Sequence, residues 1–185
     1  MYILREIEEL LEVALKQFPA CLITGPRQAG KSTLLQNKLK NYRYVTLDDP
    51  LIRSMANEDP KLFLGHYKPP LIIDEIQYAP SLLPYLKIII DQNRDQYGQY
   101  VLTGSQIFQL MKGVSESLAG RIAIFNLFPL SWEEILKIPN HSNDSLDDRR
   151  VAHQIVQGFY PELFTHPKRE KELWFSSYLS TYVER

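Results

Sequence analysis

The sequence predicts an α/β fold in which a parallel β-sheet is sandwiched by helices, and three observations carry that prediction. Short apolar runs alternate with stretches of helical periodicity through residues 3–128. The first of those runs leads into a glycine-bounded loop that opens a helix. The third ends in two carboxylates, Asp74 and Glu75, where a buried strand meets its loop.

Each element follows from local chemistry. Ile3 to Phe18 places apolar residues at 3, 4, 7, 10, 11, 14, 15 and 18, a helical face, and Pro19 ends it. Glu6, Glu8 and Glu9 sit near its start, where the helix dipole favours acid. Ala20 to Thr24 reads as a buried strand, Gly25 to Gly30 as a loop, and Lys31 to Lys40 as a helix. Arg43 to Leu47 is a second strand, closed by Asp48-Asp49-Pro50. Leu51 to Tyr67 is helical, with Pro60 opening its second piece, and Pro69-Pro70 ends it. Leu71 to Asp74 is the third strand. Ser81 suits the N-cap of a helix running to Asp95. Tyr100 to Thr103 and Ile122 to Phe128 are the fourth and fifth strands, separated by a helical or irregular stretch over 105–120. Ser131, followed by Trp132, Glu133 and Glu134, reads as a helix start.

The polar run Pro139 to Asp148 reads as a surface connection between a core over 1–138 and a helical segment over 149–185. Lys168 to Arg185 is expected to be a helix with a broad apolar face of Leu173, Phe175, Tyr178, Leu179, Tyr182 and Val183. No cap or stop signal ends it, so the chain is expected to be part of a longer protein.

Composition narrows the function classes. The 185 residues are 44% hydrophobic and 23% charged, with 21 Lys and Arg against 22 Asp and Glu, an ordinary globular balance. A net charge of -1 gives no bulk reason for nucleic-acid or acidic-membrane binding, and leaves a local basic track open. Lys38, Lys40 and Arg43 read more simply as cations at a helix C-terminus. Cys21 has no disulfide partner and reads as a buried structural thiol. His66, His141, His153 and His166 are scattered, without zinc spacing. No apolar run approaches a membrane span, and the acidic N-terminus is unlike a signal peptide, so the expected setting is cytoplasmic.

The chemistry is carried by Gly25-Pro26-Arg27-Gln28-Ala29-Gly30-Lys31-Ser32, which matches G-x-x-x-x-G-K-[ST] at every position. Glycines let backbone N–H groups approach phosphates, and the following helix, continuing with Thr33, points its positive end at the anion. Lys31 reaches the β- and γ-phosphates and the Ser32 hydroxyl ligates Mg²⁺. Asp74 is expected to hold Mg²⁺ through a water, and Glu75 to act as general base on the attacking water. A hydroxyl of Thr103-Gly104-Ser105 either senses the γ-phosphate and positions water, or merely caps a turn. Arg27 and Gln28 contact either phosphate or a neighbouring chain. Arg121 is either a finger reaching a second subunit's nucleotide or a surface residue paired with Glu116.

These residues carry a family resemblance. GPRQAGKS, LIIDEIQ, VLTGSQ and SESLAGR followed by FPLSWEE, with GFYPE and the terminal WFSSYLSTYVER, resemble the prokaryotic AAA-type ATP-binding proteins that continue into a C-terminal domain of unknown function. The resemblance spans nearly the whole chain. It implies an AAA-type P-loop core with strand order 5-1-4-3-2, and Lys31 and Ser32 as Walker A. It also implies Asp74 and Glu75 as Walker B, a sensor within Thr103 to Gln106, Arg121 as an arginine finger, and a further domain beyond Arg185. The expected activity is Mg²⁺-dependent ATP binding and hydrolysis driving a conformational or assembly change, with a homo-oligomer as one arrangement. A nucleotide-gated interaction module with little hydrolysis is the alternative. A GTPase is disfavoured, since Asn37-Lys38-Leu39-Lys40 lacks the aspartate of N-K-x-D. The sequence names no protein or nucleic-acid partner.

Overall fold

The computed structural model describes residues 1–105, 107–139 and 147–183, with backbone alone for 107–110, 112 and 183. The chain divides into two compact units, one of Tyr2 and Leu4–Phe128, the other of Met1, Ile3 and Pro129–Arg185.

Five parallel strands form the sheet of the first unit: β1 (Ala20–Thr24), β2 (Arg43–Thr46), β3 (Leu71–Asp74), β4 (Tyr100–Gly104) and β5 (Ile122–Asn126). Their spatial order is β2-β3-β4-β1-β5, the predicted order read from the other edge. Ala20 lies opposite both Tyr100 and Ile122, which fixes the register of the three strands β4, β1 and β5.

The central strands β1, β3 and β4 are buried along their whole length and largely apolar because both sheet faces are covered there. On one face Leu22, Leu71, Ile73 and Leu102 pack with Phe63 of α4 (Pro60–His66) and Leu83, Leu86 and Ile90 of α5 (Leu82–Gln92). On the other, Cys21, Ile23, Ile72 and Val101 pack with Leu11 and Ala14 of α1 (Ile7–Leu15) and Leu34 and Leu35 of α2 (Lys31–Lys38). Burying each such side chain stabilises the fold by about 1.5–3 kcal/mol. Cys21 is a buried free thiol, and burial pushes its pKa up to about 12.

Several helices are shorter than the periodicity suggests. α1 begins only at Ile7, and Ile3 joins the core of the second unit with Leu130, Ile135 and Ile138. One Asp-Pro step, Asp49-Pro50, opens the 51–67 stretch and a second, Asp59-Pro60, divides it. Asp49 caps α3 (Pro50–Glu58) by accepting from Leu51 N at 2.8 Å, and Asp59 caps α4 by accepting from Leu62 N at 2.8 Å. Ser81 precedes α5 but makes no side-chain cap; its hydroxyl turns toward Ala56 O and Asn57 instead. Residues 107–118 form α6, and β5 ends at Asn126 rather than Phe128.

In the second unit, Ser131 and Glu134 form a capping box on α7 (Trp132–Leu136), as their spacing predicts. It is followed by α8 (Asp148–Gln157), α9 (Pro161–Thr165), α10 (Lys171–Tyr178) and a π-helical turn, Leu179–Val183. Most of the expected connection 139–148, with His141, lies outside the described residues. In the terminal segment Leu173 is 65% exposed, and the buried anchor is Trp174. Trp174 stacks on Tyr178 at 5.3 Å, packs against Tyr160 and donates Nε1–H to Glu162 at 3.2 Å, so its partners and not the helical stripe decide burial. Among the described residues no helix is long and apolar enough to cross a membrane.

Candidate functional site

β1 delivers the chain into the loop at the C-terminal edge of the sheet. Gly25 has φ +140°, and a Cβ there would lie 2.0 Å from the Leu127 carbonyl oxygen. Only glycine meets both conditions. Gly25→Ala is therefore expected to cost more than about 4 kcal/mol of unfolding free energy, read by urea denaturation followed by circular dichroism. A midpoint within error of wild type would mean that the loop relaxes freely. Gln28 at φ 60° and Gly30 at φ 96° complete the turn, and α2 starts without a side-chain cap. The first-turn amides of α2 thus remain available to an anion. Behind the loop Arg5 donates to Ala29 O and Phe128 O, both at 2.7 Å, and so braces the loop against the chain leaving β5.

Lys31 is 5% exposed, and its ammonium donates to Gly25 O and Pro26 O, each at 2.9 Å. Burial lowers its pKa, with Arg27 adding to the shift while Glu75 and Asp74 oppose it. The cation is thus held at the loop by two carbonyls and faced by two carboxylates.

Asp74, at the end of β3, gathers three hydroxyls. Ser32 donates to its two oxygens at 3.1 and 2.9 Å, Thr103 of β4 donates to Oδ1 and Tyr44 of β2 donates to Oδ2. Glu75 follows in the left-handed region, at φ 59°. Such backbone in a non-glycine residue costs on the order of 1–3 kcal/mol and clusters at functional sites. Its amide donates to Thr103 Oγ1 at 3.1 Å, and its carboxylate accepts from Ser105 Oγ at 3.2 Å and from Gln77.

The loop and Glu75 border one cleft of about 340 Å³, lined by Arg27, Gln28, Gly30 to Thr33, Asp48 and Glu75, and Asp74 reaches it through Ser32. The structure brings Lys31, Ser32, Asp74, Glu75 and Thr103 together at the C-terminal edge of the sheet. Gln106 lies outside the described residues. Arg121 is elsewhere: it precedes β5, at the edge of the sheet opposite the loop, about 16 Å away at some 3.3 Å per strand residue. Its guanidinium forms a fork with Asp91 of α5, at 2.6 and 3.1 Å, and not with Glu116, one of the alternatives the sequence leaves open. The helix end carrying Asp91 lies beside that strand entry, a placement the local sequence does not reveal. Tyr44, Gln77, Asp48 and Arg5 were not singled out by sequence reasoning. For Gln77 a signal existed, two residues beyond Glu75; for the others there was none in the local pattern.

The donor set suits a hard divalent cation. Ser32 Oγ and Asp74 offer oxygen alone, side by side at the phosphate loop, and among the described residues no three His, Cys, Asp or Glu side chains form a metal cage. Mg²⁺ is bound in that way, through few protein oxygens plus water and phosphate.

Residues 17–136 match a family described as AAA domain. The uncharacterized proteins Rv2008c of Mycobacterium tuberculosis and Mb2031c of Mycobacterium bovis are each 31% identical over 183 residues, 98% of this chain and 39% of theirs. The chain therefore spans about 39% of the length of these curated relatives. The Walker-type ATPase PABY2304 of Pyrococcus abyssi is 18% identical with a TM-score of 0.56, covering 86% of this chain and 65% of that one. AMPPCP-bound DnaA from Aquifex aeolicus is 18% identical with a TM-score of 0.53, covering 87% and 59%. At that identity these two structures show a shared fold.

Proposed function

This chain belongs to the AAA domain family, an ATPase-type P-loop domain, and from that premise we propose that its cleft binds ATP with Mg²⁺ and hydrolyses the β–γ phosphoanhydride bond. The observation that carries the reading is convergence: Lys31, Ser32 and Glu75 line one cleft beside a loop of left-handed turns, and Asp74 accepts from the Ser32 hydroxyl at 2.9 Å. Support also comes from AMPPCP-bound DnaA, which shares the fold.

In this reading the loop amides and Lys31 offset charge on the transferring phosphoryl group. Ser32 and Asp74 would hold Mg²⁺, and a cation held there would supply positive charge against the phosphates. Glu75 takes the proton of the attacking water, and Thr103 positions Glu75 through its backbone amide. Gly25 to Thr33 are the nucleotide contacts. The ATPase core is assigned to 1–138, a connection to 139–148 and a helical linker to 149–185. The border between the two compact units, after Phe128, falls inside that core. The setting is cytoplasmic, and hydrolysis drives a conformational or assembly change.

Turnover measured as phosphate release from ATP and Mg²⁺ tests the reading. The second reading, a nucleotide-gated module with little hydrolysis, draws on the carboxylate of Glu75 being engaged by Ser105 and Gln77. Background turnover despite tight ATP binding would favour it.

Arg121 stands at the wrong sheet edge for its own cleft, so a role in hydrolysis requires a second copy. Mixing Arg121→Ala, which keeps its own cleft, with Glu75→Gln, which keeps its own arginine, is then expected to restore roughly a quarter of wild-type turnover, assuming random pairing of copies. No recovery on mixing would remove the finger and leave Arg121 as the partner of Asp91.

A further inference from the structure

We propose that Tyr44 is a positioning residue for the Mg²⁺ site, fixing the Asp74 carboxylate from the β2 side while Thr103 fixes it from the β4 side. The inference rests on the proposed nucleotide site and assigns a role to a residue outside the motifs.

Sheet order supplies the geometry. β3 lies between β2 and β4, so the carboxylate at its end is flanked by side chains from both neighbours. Tyr44 donates to Oδ2 and Thr103 to Oδ1. An ionised carboxylate has about four lone-pair positions. Two are taken by these flanking hydroxyls, and Ser32 Oγ stands within 3.1 Å of both oxygens from the side of the phosphate loop. The capacity left over thus faces the one residue expected to share the metal. The clamp also sets the rotation of the carboxylate plane.

Tyr44 is held for this task. Its ring packs against the sheet-face cluster that contains Leu34, Leu35 and Ile72, and it lies opposite Ile72 in the β2–β3 register. Groups that orient a metal ligand in this way are typically worth 10–100-fold in metal affinity.

The test is calorimetric titration of a non-hydrolysable ATP analogue into wild type and Tyr44→Phe, each with Mg²⁺ and with EDTA. Phenylalanine keeps the ring packing and removes the hydroxyl alone. The expected result is unchanged affinity in EDTA and a gain from Mg²⁺ that is smaller by about 10-fold than in wild type. A magnesium gain equal to wild type would overturn the inference, as would an equal loss with and without Mg²⁺, the mark of a merely structural residue. If wild type itself gains nothing from Mg²⁺, the metal reading of Ser32 and Asp74 falls and the inference with it. A Tyr44→Phe defect confined to Mg²⁺ can arise only when that reading holds.

Discussion

Lys31→Ala is expected to lose ATP affinity by at least on the order of 100-fold in calorimetric titration, while the protein remains folded by circular dichroism. The ammonium is buried, and two carbonyls hold it at the loop. Removing one partner of a desolvated charge pair typically costs about 2–5 kcal/mol, so losing the cation that faces the phosphates accounts for a change of that size. The fold should survive because two opposing effects accompany the substitution. Gly25 O and Pro26 O lose a donor, at about 1–3 kcal/mol for a buried unsatisfied group. Against that, the burial that lowers the pKa of Lys31 marks a desolvation cost that alanine does not carry. Unchanged ATP affinity in a folded Lys31→Ala protein would move nucleotide binding away from this loop altogether.

The loop could be found in the sequence because its chemistry is contiguous: Gly25 to Ser32 lie within one turn and one helix start, and the spacing is set by phosphate geometry. The central strands β1, β3 and β4 are legible as apolar runs because strands buried on both faces leave no alternation to misread. Their order was not legible from those runs, since nothing in Leu71–Asp74 says which strands flank it; the family resemblance supplied it. The same difficulty hid Tyr44. It is 30 residues from Asp74, and only β2–β3 pairing brings its hydroxyl to that carboxylate. Arg121 shows the opposite failure. The sequence offers a nearby partner, Glu116, whereas the actual one, Asp91, lies 30 residues away at the end of α5. Trp174 was missed because helical periodicity describes a stripe, while its burial depends on rings and on a carboxylate from other segments.

Glu75→Gln is expected to keep ATP bound and to lower turnover by about 10²–10⁴-fold, the usual worth of a positioned general base. Glutamine has the same shape and replaces one carboxylate oxygen by an amide nitrogen. It can therefore stay near Ser105 and Gln77 without the capacity to take a proton. The backbone strain at φ 59° is unaltered by the substitution, so the geometry of the strand end should persist. This separates the base from its support: Ser105→Ala, which removes one donor to the Glu75 carboxylate, should change turnover far less, because a proton acceptor remains. Phosphate release by the two variants, beside their ATP affinities, decides the matter. Turnover of Glu75→Gln equal to wild type would remove Glu75 as the base. Background turnover in wild type and variant alike, with ATP bound by both, would favour a module whose nucleotide orders an interface without being consumed.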